Sequence, residues 1–156
     1  MEQYFALLRQ CPLFQGISPQ ELSQMLPCLG TRHMQVKKHQ MIFRAGDPAR
    51  WVGLVLSGAV HVIQEDYYGN RSIVSTFQPP QLFGEAFACA GVASLPVSVE
   101  AAQDSTLLLL DCQRVIRTCS DACAFHQRLL SNLLHVVAAK NLLLTQKLSF
   151  LSKRTT

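Results

Sequence analysis

Apolar side chains recur along the chain at spacings that change twice, and each spacing predicts a different kind of structure. Near the N-terminus, Tyr4, Leu7 and Leu8 lie at helical spacing. Over residues 32–111 the apolar period changes to two, which is typical of strands. Over residues 121–156 it returns to helical spacing, with no Gly or Pro to interrupt it. The pattern predicts a helical start, a β region and one long C-terminal helix.

The second N-terminal helix has clear boundary signals. Ser18 is expected to be its N-cap, with Pro19 at the first helical position and Glu21 at the third, which together form a capping box. Gly30 is expected to end the helix, because glycine readily adopts the left-handed conformation found at helix C-termini.

The middle zone is divided into short apolar segments. The strand candidates are Met34–Val36, Met41–Arg44, Trp51–Leu56, Ala59–Glu65, Ser72–Phe77, Val97–Ala101 and Thr106–Asp111. The turn signals are Ala45-Gly46-Asp47-Pro48, Ser57-Gly58, Tyr68-Gly69-Asn70 and Pro79-Pro80. Gly58 is expected to close a hairpin, and Gly84-Glu85 to begin a short helical turn that runs to Ala90. The zone predicts a mainly β fold, a double-stranded jelly roll or sandwich with flanking helices, rather than βαβ units.

The last zone predicts a dimerisation helix. Its a/d seam, with steps of four and three, consists of Leu130, Leu134, Val137, Asn141, Leu144, Leu148 and Leu151. A second apolar stripe consists of Leu129, Leu133, Val136 and Leu143. One stripe is expected to pack on the chain's own strands and the other on a second copy, as a parallel homodimer with Asn141 fixing the register. The alternative for Asn141 is exposure to solvent. The domain prediction is a sensor over residues 1–120 and a dimerisation helix over residues 121–156.

The charge of the chain is concentrated in this last zone. The 156 residues contain 49% hydrophobic and 15% charged residues, a composition that excludes wholesale disorder. Residues 1–111 contain seven basic and nine acidic residues, whereas residues 112–156 contain seven basic residues and one acidic residue. This asymmetry favours an anionic partner near the C-terminal end, and a solvated helix face is the alternative.

No secretory signal or apolar run long enough to cross a membrane is visible, so we expect a cytoplasmic chain with no membrane partner. The six cysteines are then expected to be free thiols.

Three motifs, in this order, carry a family resemblance. They are Arg44-Ala45-Gly46-Asp47, Leu56-Ser57-Gly58-Ala59-Val60 and Phe83-Gly84-Glu85. Between a helical start and a long helix, they resemble the sensor half of the Crp/Fnr family, bacterial transcription regulators built on the cyclic-nucleotide-binding fold. The resemblance implies that a winged helix-turn-helix domain follows the long helix. No such pattern lies in this chain, so we expect it to contact DNA only through a C-terminal domain missing from it.

The resemblance also implies a ligand site. Gly84 and Ala86, after Phe83, would lie at a phosphate, and Glu85 would accept a hydrogen bond from a ribose hydroxyl. Asn141 lies near the position on the dimer helix from which the family contacts the purine.

The sequence departs from the family at the phosphate. Cyclic-nucleotide-binding members carry an Arg followed by Ser or Thr, where this chain has Leu95 and Pro96. Neither side chain can neutralise a phosphate, and residues 86–99 contain no Lys or Arg. Usual cAMP binding is therefore not expected. A pocket for an uncharged or apolar effector, or one that binds nothing, remains open.

Cysteines provide an alternative sensor chemistry. Cys119, Cys123 and His126 are spaced so that one helix face could present all three to a metal, and a thiol near a helix start can be redox-active. The competing interpretation is that these cysteines are simply packed in the core.

The sequence thus predicts the effector-sensing and dimerisation domain of a Crp/Fnr-like regulator, with a redox- or metal-sensing domain as the alternative. We expect no enzyme and no catalytic residues. A cupin-type metal enzyme would need histidines at alternate strand positions, and His61 has none at residues 59 or 63.

Overall fold

In the computed structural model, the described backbone covers residues 4–117 and 124–154, and the described side chains cover residues 4–117 and 127–147. Cys119 and Cys123 therefore lie outside the described residues, as do the side chains of His126, Leu148 and Leu151.

Helices flank a β region. The α-helices are α1 (Phe5–Gln10), α2 (Pro19–Met25), α3 (Glu85–Cys89), α4 (Cys112–Ile116) and α5 (Ala124–Arg154), and two 3₁₀ turns cover Pro12–Phe14 and Leu26–Leu29. The strands in the described chain are β1 (Arg32–Val36), β2 (Met41–Phe43), β3 (Trp51–Ser57), β4 (Val60–Glu65), β5 (Arg71–Phe77), β6 (Leu82–Phe83), β7 (Ser98–Ala101) and β8 (Ser105–Asp111). No helix among the described residues is long and apolar enough to cross a membrane.

The start of α2 has the predicted capping box. The Ser18 hydroxyl accepts from the backbone N–H of Glu21, and the Glu21 carboxylate accepts from the backbone N–H of Ser18, both over 3.2 Å. Gly30 ends the following 3₁₀ turn in the left-handed conformation, at φ 63°.

The strands form two antiparallel four-stranded sheets in the order β1-β8-β3-β6 and β2-β7-β4-β5. This is the predicted mainly β jelly-roll fold with flanking helices and a long C-terminal helix. β6 is the strand that the hydrophobic pattern does not predict, because Leu82 and Phe83 are too few to show a period of two.

The prediction of a hairpin at Gly58 is wrong. β3 pairs with β6 and β8, whereas β4 pairs with β5 and β7, so the chain crosses from one sheet to the other at Gly58. Gly58 has φ 84°, and a Cβ there would lie 2.5 Å from the backbone oxygen of Asp104. The glycine is therefore required by the crossing itself, since only glycine combines this conformation with so close an approach.

The central strand β8 contributes to two separate cores. Leu107 and Leu109 point between the two sheets, where they pack with Val55 and Phe83. Leu108 and Leu110 point to the opposite face, against the helices. Because successive strand side chains alternate between faces, an unbroken run of leucines is what a strand buried on both sides needs.

The long helix α5 packs on the helical side of this sheet. Leu129 and Leu133 of the second apolar stripe are buried in the core that strands and N-terminal helices share. The Asn132 side-chain amide donates to the carbonyl oxygens of Leu13 and Gln15, both at 2.9 Å. The first half of α5 is thus fixed to the body of the domain by packing and by hydrogen bonds.

Leu129→Ala is expected to destabilise the chain by about 2–5 kcal/mol, because it leaves a cavity at a fully buried position. The control Gln127→Ala, on the exposed side of the same turn, should change stability by less than about 0.5 kcal/mol. Urea unfolding followed by circular dichroism measures both, and equal midpoints for the two variants would contradict this placement of α5.

Candidate effector site

The segment from Leu82 to Val99 is built around a left-handed glycine. Gly84 follows β6 with φ 79° and serves as N-cap of α3. A Cβ at this position would lie 3.2 Å from the backbone oxygen of Trp51, so any other residue would be strained and crowded there. After this turn, Glu85 and the rest of α3 pack against β3.

A small apolar cavity lies behind this turn. Its lining residues are Phe43, Pro48, Ala49, Arg50, Trp51, Val62, Gly84, Phe87, Leu95, Val97 and Val99. Its volume is about 20 Å³, which is room for about one water molecule. Aliphatic and aromatic side chains therefore occupy most of the space between α3 and the strands.

Arg50 is the one charged residue that lines this cavity, and its charge is already matched. Its guanidinium donates from Nη2 and Nε to Oδ2 of Asp111 at 2.9 and 3.2 Å. The same group stacks 4.9 Å from the centre of the Trp51 ring. No local pattern in the sequence singles out Arg50, because its partner lies 61 residues away.

Leu95 is the residue that the resemblance places at the arginine position of cyclic-nucleotide-binding members. Its backbone N–H donates to the Asp47 oxygen, and its own oxygen accepts from the Gly46 N–H, both at 2.8 Å. Its buried side chain lines the cavity, while Pro96 is exposed. This position is thus joined to the glycine turn by main-chain hydrogen bonds and brings an apolar side chain to the cavity.

Glu85 is buried against a lysine of the long helix. The carboxylate is 3% exposed, and its Oε1 accepts from Nζ of Lys140. The ammonium of Lys140 also donates to the Leu82 oxygen at 2.9 Å and lies 5.0 Å from the centre of the Phe77 ring. Oε2 of Glu85 has no hydrogen-bond partner among the described residues. The carboxylate that the resemblance assigns to a ribose is therefore paired with the protein's own cation.

The other predicted ligand residues are spread out. Phe83 is buried between the sheets and Gly84 borders the cavity, but Ala86 is exposed. Asn141 is exposed on α5, next to the Lys140 that reaches Glu85. Lys140 itself is not among the predicted site residues, and the one sequence signal that points to it is its adjacency to Asn141.

A second concavity lies on the other side of Lys140. This groove, of about 590 Å³, runs between α5, the Pro12–Phe14 turn and the segment before β6. Gln81, Asn132 and His135 give it a polar border beside Lys140.

The described cysteines differ sharply in their surroundings. Cys11 is buried, and burial raises the pKa of its thiol to about 11. Cys28 is exposed. The Sγ atoms of Cys89 and Cys112 lie 3.8 Å apart, which brings two thiols into contact across α3 and α4. Among the described residues, no cluster of three or more His, Cys, Asp or Glu side chains could hold a metal ion.

The cyclic nucleotide-binding domain, as a sequence family, matches residues 33–121. No curated protein sequence matches the chain significantly. Among solved structures, it is similar to the catabolite activator protein of Thermus thermophilus, with 25% identity and a TM-score of 0.72 over 90% of this chain and 63% of that one. It is also similar to the sensor domain of the transcriptional regulator DNR from Pseudomonas aeruginosa, with 21% identity and a TM-score of 0.72 over 96% and 95% of the two chains.

A third similar structure is the regulatory subunit of a cAMP-independent protein kinase A from Trypanosoma brucei, with 19% identity and a TM-score of 0.68 over 89% of this chain and 46% of that one. The chain belongs to the cyclic nucleotide-binding domain family. Its structural neighbours include Crp/Fnr-type transcriptional regulators, which confirms the family resemblance. The chain spans 63% of the length of the catabolite activator protein.

Lys140→Met is expected to destabilise the chain by about 1–3 kcal/mol, because it leaves the buried Glu85 carboxylate without its cation. The double variant Lys140→Met, Glu85→Gln should recover most of the loss, since it removes the uncompensated charge. Lys147→Met, an exposed lysine of the same helix, is the matched control and should be neutral. Urea unfolding provides the comparison, and a Lys140→Met variant as stable as the control would contradict the pairing.

Proposed function

We propose that this chain is the effector-sensing and dimerisation domain of a bacterial Crp/Fnr-like transcription regulator, with an effector other than a cyclic nucleotide bound in the usual way. Its overlap with 95% of an isolated regulator sensor domain supports the sensor role. In this proposal the domain is cytoplasmic and does no catalysis. DNA contact belongs to a separate domain, so the chain alone should not bind an operator.

The pairing of Glu85 with Lys140 carries the part of the proposal that concerns the effector. A ribose hydroxyl would have to reach a residue that is only 3% exposed, and to bind Oε1 it would have to displace the Lys140 ammonium. That exchange would replace the cation of a buried ion pair with a neutral donor, which leaves the carboxylate charge uncompensated and is unfavourable.

The phosphate would meet a second obstacle. The chain has no Lys or Arg within residues 86–99, and the guanidinium of Arg50 already pairs with Asp111. The cavity of about 20 Å³ would also have to open widely before it could hold a nucleotide. An uncharged or apolar effector needs no cation to neutralise a phosphate, and it fits the aliphatic lining of the cavity better.

Calorimetric titration with cAMP or cGMP is expected to give no binding stronger than a Kd of about 1 mM, which corresponds to about 4 kcal/mol. Linear AMP serves as the control for non-specific binding of an adenine nucleotide. A micromolar Kd for the cyclic form alone would overturn the proposal.

The exposed leucines of α5 support the dimerisation role. Leu134 and Leu144 of the predicted seam are 71% and 60% exposed. Leucines this exposed on one stripe of a helix are apolar surface that a solvated helix does not need, and a seam of two such helices would bury them. Asn141 is exposed on the same helix, which both the predicted register role and its alternative of simple solvent exposure allow. Val137 of the seam instead packs in part against the domain's own core.

Leu134→Glu is expected to weaken the dimer at least about 100-fold, because it removes a buried leucine from each copy and places two like charges together. Secondary structure should not change, since the side chain is exposed in the single chain. Gln146→Glu adds the same charge outside the seam and should leave the dimer intact. Sedimentation equilibrium measures the dissociation constant of the dimer for each variant. A wild-type chain that is monomeric at high micromolar concentration would contradict the proposal.

A further inference from the structure

Two thiols meet at the junction between α3 and α4. Cys89 ends α3 and Cys112 begins α4, and their Sγ atoms are 3.8 Å apart. A disulfide has an S–S length of about 2.05 Å, so the two sulfurs need to approach by less than about 2 Å. Side-chain rotation at Cys89, which is only partly buried, can supply much of that movement.

We propose that Cys89 and Cys112 form a reversible disulfide when the chain meets a peroxide. The pair lies outside the cysteines singled out by the sequence, and it needs neither a metal nor a bound effector.

The chemistry balances with the peroxide as the two-electron oxidant. The Cys89 thiol loses its proton, the thiolate attacks one peroxide oxygen and the O–O bond breaks. The departing oxygen takes up a proton to replace the one lost, so the products are a sulfenic acid and one molecule of water, or of alcohol from an organic peroxide. The Cys112 sulfur then attacks the Cys89 sulfur, the S–O bond breaks, and a second water leaves with the Cys112 proton. Reduction by a dithiol returns both thiols.

The surroundings assign the two sulfurs different roles. A hydrogen bond from the Cys112 thiol lowers the pKa of Cys89, which favours the thiolate that must react first. The same hydrogen bond, together with burial, raises the pKa of Cys112. Cys112 is 2% exposed, whereas Cys89 is half-buried, so a peroxide reaches Cys89 more readily. Cys89 is thus the attacking cysteine and Cys112 the resolving one.

The other described cysteines lack this arrangement. Cys11 is fully buried and its pKa is raised to about 11, so it is a poor nucleophile. Cys28 is exposed, and its Sγ contacts a backbone oxygen, that of Gln24, at 3.8 Å. Within the part of the chain that the structure describes, only the Cys89–Cys112 pair combines an accessible thiol with a second sulfur in contact with it.

A disulfide between Cys89 and Cys112 would join α3 to α4, the helix that precedes α5 in the chain. α3 carries Glu85 and the cavity residue Phe87, and α4 directly precedes the segment that enters the long helix. A disulfide there restricts movement of α3 against α4, and so alters how the cavity couples to α5. This consequence rests on the proposed function, whereas formation of the disulfide does not.

The test is oxidation of the folded wild-type chain with hydrogen peroxide, followed by denaturation, alkylation and peptide mass analysis. We expect two thiols lost, a linked peptide of Cys89 and Cys112 that weighs about 2 Da less than its two reduced, unalkylated peptides together, and reversal by dithiothreitol. Cys28→Ser should behave as wild type. Cys112→Ser should leave a sulfenic acid at Cys89 that dimedone traps, and circular dichroism confirms that this variant folds.

Linkage of any other cysteine pair, or direct conversion of Cys89 to a sulfinic acid in the wild type, would overturn the proposal. These readouts are covalent and independent of oligomeric state. A chain that forms the disulfide but stays monomeric would refute the dimerisation proposal and leave the redox pair intact.

Discussion

The ion pair between Glu85 and Lys140 is the constraint around which the rest of this domain is arranged. It joins the first residue of α3 to the middle of α5 across 55 positions of sequence. A buried carboxylate without a cation would cost on the order of several kcal/mol, so the lysine is a condition for keeping Glu85 inside. The left-handed Gly84 directs Glu85 inward, and the packing of Leu129 and Leu133 holds α5 close enough for Lys140 to reach it.

This arrangement changes what the family fold can do. A nucleotide-binding pocket needs a cation for the phosphate and a free acceptor for the ribose. The resemblance places Leu95, which lines the cavity, at the first position, and Lys140 of α5 pairs with Oε1 of Glu85, which the resemblance places at the second. α3 and the long helix α5 are connected directly through the charge pair of Glu85 and Lys140. Anything that moves α3, whether an apolar effector or a bond between Cys89 and Cys112, acts on that pair.

Local signals in the sequence determined much of the fold. The Ser18 capping box and the period-two segments predict the observed helix start and most strands to within one or two residues, because each depends on neighbours in sequence. The sequence predicts a hairpin at Gly58, where the chain in fact crosses between the sheets, because a glycine turn does not indicate which strands pair with each other. Which strands pair in each sheet depends on residues that are far apart in the sequence.

The site was less predictable for the same reason. The loss of the arginine at Leu95 is visible in the sequence, since it is a local departure from a motif. The lysine that pairs with Glu85 and the sulfur that faces Cys89 lie 55 and 23 positions from their partners. No spacing rule connects such residues, and only the packing of α3, α4 and α5 brings them together.

The most direct measurement is a crystal structure of the wild-type chain grown at saturating cAMP. The account predicts that the Lys140 ammonium stays on the Glu85 carboxylate and that the cavity beside Leu95 remains closed. A cyclic nucleotide with its ribose on Glu85 and Lys140 displaced would contradict it.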